Sequence, residues 1–442
     1  MIKRESQLIV GLCNQVINIL CPFLITIIGL KNTNAEIGSI WLIFLSMVVL
    51  VNLFDFGMSP TIIRNVSYVV GGARELAKDG LDDVKFSNGT DYSLLKRLLC
   101  DIKKIYRTLT VVAFFIILVG GGLYFYHISP PEEYQEVILS WGAFAFGLLM
   151  SLYYLYYTPI LCGLGIIQKA YLANIIGRLA WLVLTLVAMK YFPGLISLSL
   201  AFLISVFINR LVINIFYKKN IYIKELRNVI ASKVSTIPVI AHNATKLGVV
   251  SLGSFLISRA TILIAGASLP LAVAGEYTFS LQIFMALLAV GNVFVTVKVP
   301  ELSRLVMVKE TAKLRMLIIK IITVSLFLYM AGFVCFYFLQ GFIIAIFGAK
   351  VGFLQNEYLI LLAVVYLLEL NHTICATILT TANKIPFVKP SLISGLLIVI
   401  FSMLVVKYSS LAILGLIGVQ LIIQLFYNNW KWPVCVYKGY IK

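Results

Sequence analysis

Basic side chains stand at four positions inside apolar stretches that are long enough to cross a bilayer. Arg178 and Arg259 lie near the middle of their stretches, whereas Arg210 and Lys246 lie nearer the ends. An ionisable group at mid-bilayer costs about 2.5–3.5 kcal/mol, so it usually faces water or a partner. The planar guanidinium fork matches phosphate oxygens. Arg178 and Arg259 are therefore candidates for a cationic cavity, with structural pairing as the alternative. Snorkelling explains Arg210 and Lys246 more simply than a cavity role.

Lys246 and Arg259 occupy the same apolar stretch. They are separated by about 220° on a straight helix, so both cannot face one cavity. We favour Arg259 because it lies deeper.

The most deeply placed acid is Glu369, which is followed by His372 in the same apolar stretch. On a helix these two side chains lie about 60° apart and can meet. A carboxylate beside an imidazole could bind and release a proton or a sodium ion and so couple a movement to an ion gradient. A hydrogen-bonded staple between helices is the simpler alternative, and the sequence leaves both open.

Polar residues also mark the first two apolar stretches. Asp55 ends the second stretch, and Arg64 follows two to three helical turns later. The two residues predict either a gate beside an entrance or a structural salt bridge. Asn14 and Asn18 lie one turn apart on the first stretch, where we expect their amides to join helices rather than to bind sugar hydroxyls.

The composition shows which elements must position these side chains. Of the 442 residues, 61% are hydrophobic and 12% charged, whereas soluble proteins are about 45–50% apolar and about 25% charged. A membrane-spanning helix needs about 20 mostly apolar residues. The sequence therefore predicts an all-α polytopic membrane protein with about twelve transmembrane helices. The apolar stretches fall at 8–30, 37–58, 109–126, 137–157, 170–190, 194–216, 244–266, 272–296, 317–338, 356–380, 388–406 and 410–429.

The basic residues predict the orientation of the bundle. With the N-terminus in the cytoplasm, 27 of the 36 Lys and Arg residues fall in cytoplasmic segments and 4 in the opposite loops. This bias follows the positive-inside rule and places both termini in the cytoplasm. It also accounts for the net charge of +18 through contact with anionic membrane lipids. Nucleic-acid motifs are absent, so we expect no nucleic-acid partner.

The two halves of the chain follow a similar plan. Gly38 opens a helix that ends at Pro60-Thr-Ile-Ile-Arg64, and Gly275 opens one that ends at Pro300-Glu-Leu-Ser-Arg304. Each is the second helix of its half and precedes a long basic loop, 59–108 or 297–316. Two parallel six-helix repeats can enclose a cavity. We predict an N-terminal lobe at 1–216, a cytoplasmic linker at 217–243 and a C-terminal lobe at 244–442.

Two stretches resemble Wzx-type O-antigen flippases, in the polysaccharide transport branch of the multidrug/oligosaccharidyl-lipid/polysaccharide exporter superfamily. They are Asn14-Gln-Val-Ile-Asn18 and Asp55-Phe-Gly-Met-Ser-Pro-Thr-Ile-Ile-Arg-Asn65, the latter followed by Ser67-Tyr68 and Gly71-Gly72-Ala73. The twelve-helix layout extends the resemblance over the whole chain, while the second half matches by pattern more than by motif.

The resemblance implies a V-shaped bundle of two six-helix lobes around a central cavity in the bacterial inner membrane. It also implies a substrate, an oligosaccharide repeat unit on undecaprenyl pyrophosphate, which is moved from the cytoplasmic to the periplasmic leaflet. A cationic cavity formed by Arg178, Arg259, Arg210 and Lys246 would then draw the pyrophosphate through. Contact with polysaccharide polymerase and chain-length proteins is a further expectation.

Two alternatives belong to other functional classes. A multidrug exporter of the same fold would place acids in its cavity, whereas the central charges here are mostly arginines. An O-antigen polymerase or membrane glycosyltransferase would need a sizeable loop or domain with paired carboxylates, and the predicted outer loops are short. The sequence has no P-loop, HExxH or Gly-rich nucleotide motif. It therefore predicts a transporter rather than an enzyme, with no cofactor and no metal.

Overall fold

The computed structural model describes residues 2–77, 87, 89–308, 310–381 and 386–441, with the side chains of these residues except 2–8, 243, 246, 307 and 441. Within this part of the chain, twelve helical segments are long and apolar enough to cross a membrane. The predicted fold class, an all-α polytopic membrane protein of about twelve transmembrane helices, is confirmed. Its V shape and central cavity stay predictions.

The chain forms two compact units, Met1–Ser251 and Leu252–Lys442. Helices of the first unit are α1 Ile2–Asn32, α2 Ala35–Met47, α3 Val49–Asp55, α4 Met58–Val70, α5 Tyr92–Phe114, α6 Gly121–Ile128, α7 Tyr134–Tyr153, α8 Tyr157–Gly163, α9 Ile167–Tyr191, α10 Leu195–Lys218 and α11 Ile221–Glu225. A π-helical segment, Phe115–Gly120, joins α5 to α6. Neighbouring helices α1, α9, α10 and α7 pack side by side in that order.

Helix α12, Ile237–Ser258, crosses the boundary between the units. The second unit continues with α13 Ala260–Ser268, α14 Leu271–Val308, α15 Thr311–Phe347, α16 Asn356–Thr380, α17 Val388–Tyr408, α18 Ala412–Phe426 and α19 Asn428–Val436. Residues 217–243 pack as part of the first unit. The predicted division at 216 and 244 stays a prediction.

Both long loops of the sequence prediction contain helix. In the segment 59–108, α4 ends at Val70 and α5 already begins at Tyr92. Leu94, Leu98 and Leu99 are buried there, so the basic first part of α5 is held by an apolar face. In the segment 297–316, α14 runs to Val308 and α15 begins at Thr311. The prediction of two long loops was therefore wrong, because amphipathic helix continues past the apolar stretches.

The two halves differ in backbone at the matched prolines. In the first half, Phe56 and Gly57 adopt left-handed φ values of 51° and 72°, which separate α3 from α4 ahead of Pro60. In the second half, Pro300 lies inside the continuous helix α14. The two halves therefore share the Pro-x-x-x-Arg motif in sequence, but the backbone around it differs between them.

Candidate functional site

A polar cavity of about 300 Å³ lies inside the first unit, lined by residues of α1, α3, α7, α8, α9 and α10. Arg178 of α9 and Arg210 of α10 both line it. Its other polar lining residues are Asn14, Asn52, Ser151, Thr158, Tyr171, Asn174, Ser205 and Asn209. Among the described residues that line it there is no acid. The cavity thus combines two cations with neutral hydrogen-bonding groups.

Amides hold Arg178 in place. The Arg178 Nε donates to Oδ1 of Asn18 at 3.1 Å, and the Asn174 Nδ2 donates to Oδ1 of Asn14 at 2.8 Å and of Asn18 at 3.2 Å. The guanidinium also lies over the Trp181 ring, 5.6 Å from its centroid. The expectation that Asn14 and Asn18 join helices is confirmed, since both bind α9. The described residues include no ion-pair partner for Arg178, and its role in a cationic cavity stays a prediction.

Arg210 faces the same cavity from α10. Its Nη2 donates to the carbonyl oxygen of Ser151 at 2.7 Å and to the Ser151 Oγ at 3.0 Å. Its Nε is buried and has no hydrogen-bond partner among the described residues. The guanidinium is thus bound to α7, and the choice between snorkelling and a cavity role stays a prediction. Arg210 retains an unused donor beside the cavity.

Asp55 does not form an ion pair with Arg64. The buried Asp55 carboxylate accepts a hydrogen bond from the Tyr106 hydroxyl of α5 and one from the Ser59 N–H, at 3.0 Å, at the start of α4. Arg64 is exposed. The salt-bridge alternative was therefore wrong, because a closer hydroxyl and a helix N-terminus satisfy the carboxylate. The gate role of both residues stays a prediction.

The Asp-Phe-Gly stretch forms a tight contact with the first part of α12. A Cβ on Gly57 would lie 2.3 Å from the Leu247 Cβ, and a Cβ on Gly248 would lie 2.1 Å from the Phe56 ring. Gly57 also has φ +72°, which favours glycine. The motif thus joins α3, α4 and α12 within the first unit.

Arg259 lies at an interruption of the helix. It has φ −127° between α12, which ends at Ser258, and α13, which begins at Ala260. The premise of a straight helix through Lys246 and Arg259 was therefore wrong. The Lys246 side chain lies outside the described residues. The Arg259 side chain lies near Tyr366 of α16, whose buried hydroxyl has no hydrogen-bond partner among the described residues.

Glu369 forms the centre of a hydrogen-bonded chain in the second unit. Its Oε1 lies 3.4 Å from the His372 Nε2, and its Oε2 accepts from the Gln424 Nε2 at 3.2 Å. His372 Nδ1 lies 3.0 Å from the Asn429 Oδ1. The expected meeting of Glu369 and His372 is confirmed. Among the described ion pairs, Glu369 does not pair with Arg259.

The hydrogen bonds around Glu369 extend beyond Gln424. Asn428 Nδ2 donates to Gln424 Oε1 at 2.7 Å and to the Ser394 Oγ at 3.0 Å, and the Trp432 Nε1 donates to Asn428 Oδ1 at 3.2 Å. Together with Glu369 and His372 of α16, these side chains link α16, α17, α18 and α19. The observed geometry contains the interhelical staple, and the role in ion coupling stays a prediction.

Sequence reasoning missed most of the neutral partners. Asn174, one turn before Arg178 on α9, carried a usable signal, because polar residues one turn apart share a helix face. Gln424, Asn428 and Asn429 near the end of the chain carried a weaker signal, as amides beside an aromatic segment. Ser151 and Tyr106 carried none, because their partners lie far away in the sequence.

Among solved structures, an inward-facing multidrug resistance MATE family transporter of the MOP superfamily matches with TM-score 0.71 and 15% identity, over 97% of this chain and 98% of that one. The outward-facing conformation of such a transporter matches with TM-score 0.62 and 15% identity, over 99% and 96%. This chain has the MATE transporter fold. The likeness supports a multi-pass membrane protein, and at this identity it shows the fold alone.

A third similar structure is a MOP superfamily transporter from Pyrococcus furiosus, described by its "reverse polarity of binding pocket" that "suggests different function". It matches with TM-score 0.55 and 14% identity, over 99% of this chain and 96% of that one. No protein-family model matches the chain. No curated protein matches it either.

Proposed function

We propose that this protein moves undecaprenyl-pyrophosphate-linked oligosaccharide units from the cytoplasmic to the periplasmic leaflet of a bacterial inner membrane. The observation that carries the proposal is the cavity of about 300 Å³ in the first unit, with Arg178 and Arg210 and no acid among its described lining residues. A pyrophosphate supplies the negative charge that this lining lacks. The resemblance of the Asp55–Asn65 stretch to O-antigen flippases supports the same substrate class.

Both arginines suit an oxyanion. Neither guanidinium is neutralised by a carboxylate among the described residues. Charge-assisted hydrogen bonds from a guanidinium to phosphate are short and strong. The amides of Asn14, Asn52 and Asn209 add neutral donors and acceptors of the kind that fix the orientation of a polar ligand.

Energy for the movement would come from an ion bound at Glu369 and His372 in the second unit. A carboxylate that meets an imidazole and an amide inside a membrane helix bundle is a suitable site for a proton or a sodium ion. Arg259 would assist the headgroup, and Asp55 and Arg64 would lie at the entrance. Both termini and residues 217–243 would be cytoplasmic, and a reporter fusion in 217–243 that reads periplasmic would overturn this orientation.

A multidrug exporter is the second candidate. Its support is the set of MATE family neighbours, two of them described as multidrug resistance transporters. A cationic drug would meet two like charges in this cavity, which disfavours binding. An anionic or neutral drug remains compatible with the lining.

The experiment reconstitutes the purified protein in liposomes that contain a lipid-linked oligosaccharide and follows access of an external glycosidase to the sugar. Arg178→Ala and Arg210→Ala should each lower the flipping rate by about 10- to 150-fold, since a hydrogen bond to a charged group contributes about 1.5–3 kcal/mol. Arg210→Lys should recover part of the rate, because the charge stays while the fork is lost.

The matched controls remove a charge from the exposed end of the same helix. Lys190→Gln on α9 and Lys218→Gln on α10 leave the cavity lining intact, and both should flip at the wild-type rate. A wild-type protein that exports dyes but leaves the lipid-linked sugar in place would overturn the proposal and favour the exporter. Equal loss in the control variants would show that only overall charge matters.

A further inference from the structure

An apolar groove of about 620 Å³ runs between α17 and α18 in the second unit. Its wall from α17 includes Ile393, Leu397 and Phe401, and its wall from α18 includes Ile422 and Phe426. These side chains are exposed, from 38% at Leu397 to 77% at Phe426. The groove is therefore open to the surroundings of the protein along its length.

One end of the groove carries a charge. Lys389, the second residue of α17, lines it together with Tyr427, directly after α18. Because α17 and α18 are joined by a short turn, these two residues lie at the same end. The distance from Lys389 to Phe401 along α17 is about 18 Å at 1.5 Å per residue, which is close to half of the roughly 30 Å hydrocarbon core. With Lys389 at a membrane surface, the groove would extend to about mid-bilayer.

The shape suits one long apolar chain with a charged end. The groove extends over about 18 Å and has an open volume of about 620 Å³. A mostly apolar site with a few polar groups at one end is typical of a site that binds and orients an amphiphile.

A hydrogen-bonded path connects the groove to Glu369. Ser394 lines the groove, and its Oγ accepts from Asn428, which also binds Gln424, the partner of Glu369. Ser394, Gln424 and Asn428 are all buried. A ligand in the groove would therefore touch the outermost member of the network that holds the carboxylate.

We infer that the groove between α17 and α18 binds the isoprenoid chain of a polyprenyl phosphate, with the phosphate at Lys389. The inference rests on the proposed function for the role of this lipid as substrate, and it adds a site for the chain that is separate from the cationic cavity.

The test measures binding of a polyprenyl phosphate to the purified full-length protein by native mass spectrometry and maps a photoreactive analogue of it. Leu397→Trp fills the groove and should weaken binding at least tenfold, whereas Leu396→Trp on the same helix, exposed outside the groove, should leave binding unchanged. Ile422→Trp and its control Leu425→Trp repeat the comparison on α18. Lys389→Gln should weaken binding several-fold, and Lys407→Gln at the other end of α17 should not.

The outcomes are distinct. Labelling of groove residues together with the two tryptophan effects supports the inference. Equal binding of phosphatidylglycerol, or of an unbranched alkyl phosphate, overturns it in favour of bulk lipid. Labelling elsewhere, or tryptophan variants that bind normally, also overturns it. A wild-type protein that binds the chain in the groove but flips no lipid-linked sugar would refute the proposed function alone, because binding is measured without transport.

Discussion

One carboxylate of α5 binds the residues directly before α12, and its removal should loosen them. Asp101 Oδ2 accepts from the Thr236 N–H at 2.7 Å and the Thr236 Oγ1 at 3.0 Å, from the Ser235 Oγ at 3.1 Å and from the Arg97 Nε at 3.1 Å. Its side chain is 4% exposed. Asp101→Ala deletes all of these bonds and leaves the N–H of a buried threonine unpaired.

The size of the effect follows from the two bonds to Thr236. A hydrogen bond to a charged group contributes about 1.5–3 kcal/mol, and the lower value for each of the two gives about 3 kcal/mol. The bonds to Ser235 and to the partly exposed Arg97 are taken as negligible, as for a surface pair. A local opening free energy that falls by about 3 kcal/mol raises the open population by about 100-fold.

Limited trypsin digestion provides the assay, because Lys233 is exposed in this segment. The segment is held on its other side by the Lys96 Nζ on the Val229 carbonyl at 2.7 Å and the Ser93 Oγ on the Ile230 carbonyl at 2.9 Å. These bonds remain in Asp101→Ala, so cleavage after Lys233 should accelerate by up to about 100-fold when opening is faster than cleavage. Glu310→Gln, which breaks the exposed pair with Lys313, is the control and should have no effect. A change below threefold in Asp101→Ala would refute the reasoning.

Three further predictions concern the sites described above. Gly57→Ala should lower the free energy of unfolding by about 2–5 kcal/mol, from left-handed strain and overpacking against Leu247. Gly418→Ala is the control, because the space around Gly418 is open, and it should leave the free energy of unfolding unchanged. Equal melting temperatures for the two variants would contradict the prediction for Gly57. Glu369→Gln should make flipping in liposomes independent of an imposed proton or sodium gradient; retained dependence would exclude the coupling role. Arg259→Ala should abolish flipping at normal membrane abundance and Arg259→Lys should restore part of it, whereas an abundant, fully active alanine variant would leave Arg259 without a role.

The sequence was sufficient for the helices because each span is decided locally. A bilayer requires every backbone group of a span to be satisfied within its own segment, so hydropathy alone located the helices from Ile9–Asn32 to Ala412–Tyr440. The helical extensions beyond the apolar stretches were missed for the same reason. The first part of α5 is polar and basic, and only the burial of its leucines against the rest of the first unit explains its helix.

The position of the site residues along their helices could be predicted, but the direction in which their side chains point could not. Depth along a helix follows from the sequence, and it identified Arg178 and Glu369. The direction in which a side chain points depends on neighbours that are remote in the chain, so the contact of Arg210 with Ser151 was missed. Asp55 was likewise assigned to a basic residue close in sequence, whereas Tyr106 on α5 binds it.

The nature of the partners determines what the buried charges can still do. An arginine that faces a carboxylate has its charge compensated, and an incoming anion would have to displace that carboxylate. Arg178 is instead bound by Asn18, and Arg210 by Ser151, and neutral acceptors leave the positive charge uncompensated. The negative charge of Glu369 is likewise left uncompensated when its partners, an amide and an imidazole, are neutral. Because an uncompensated buried charge is costly, such groups are expected where a ligand of opposite charge supplies the missing partner.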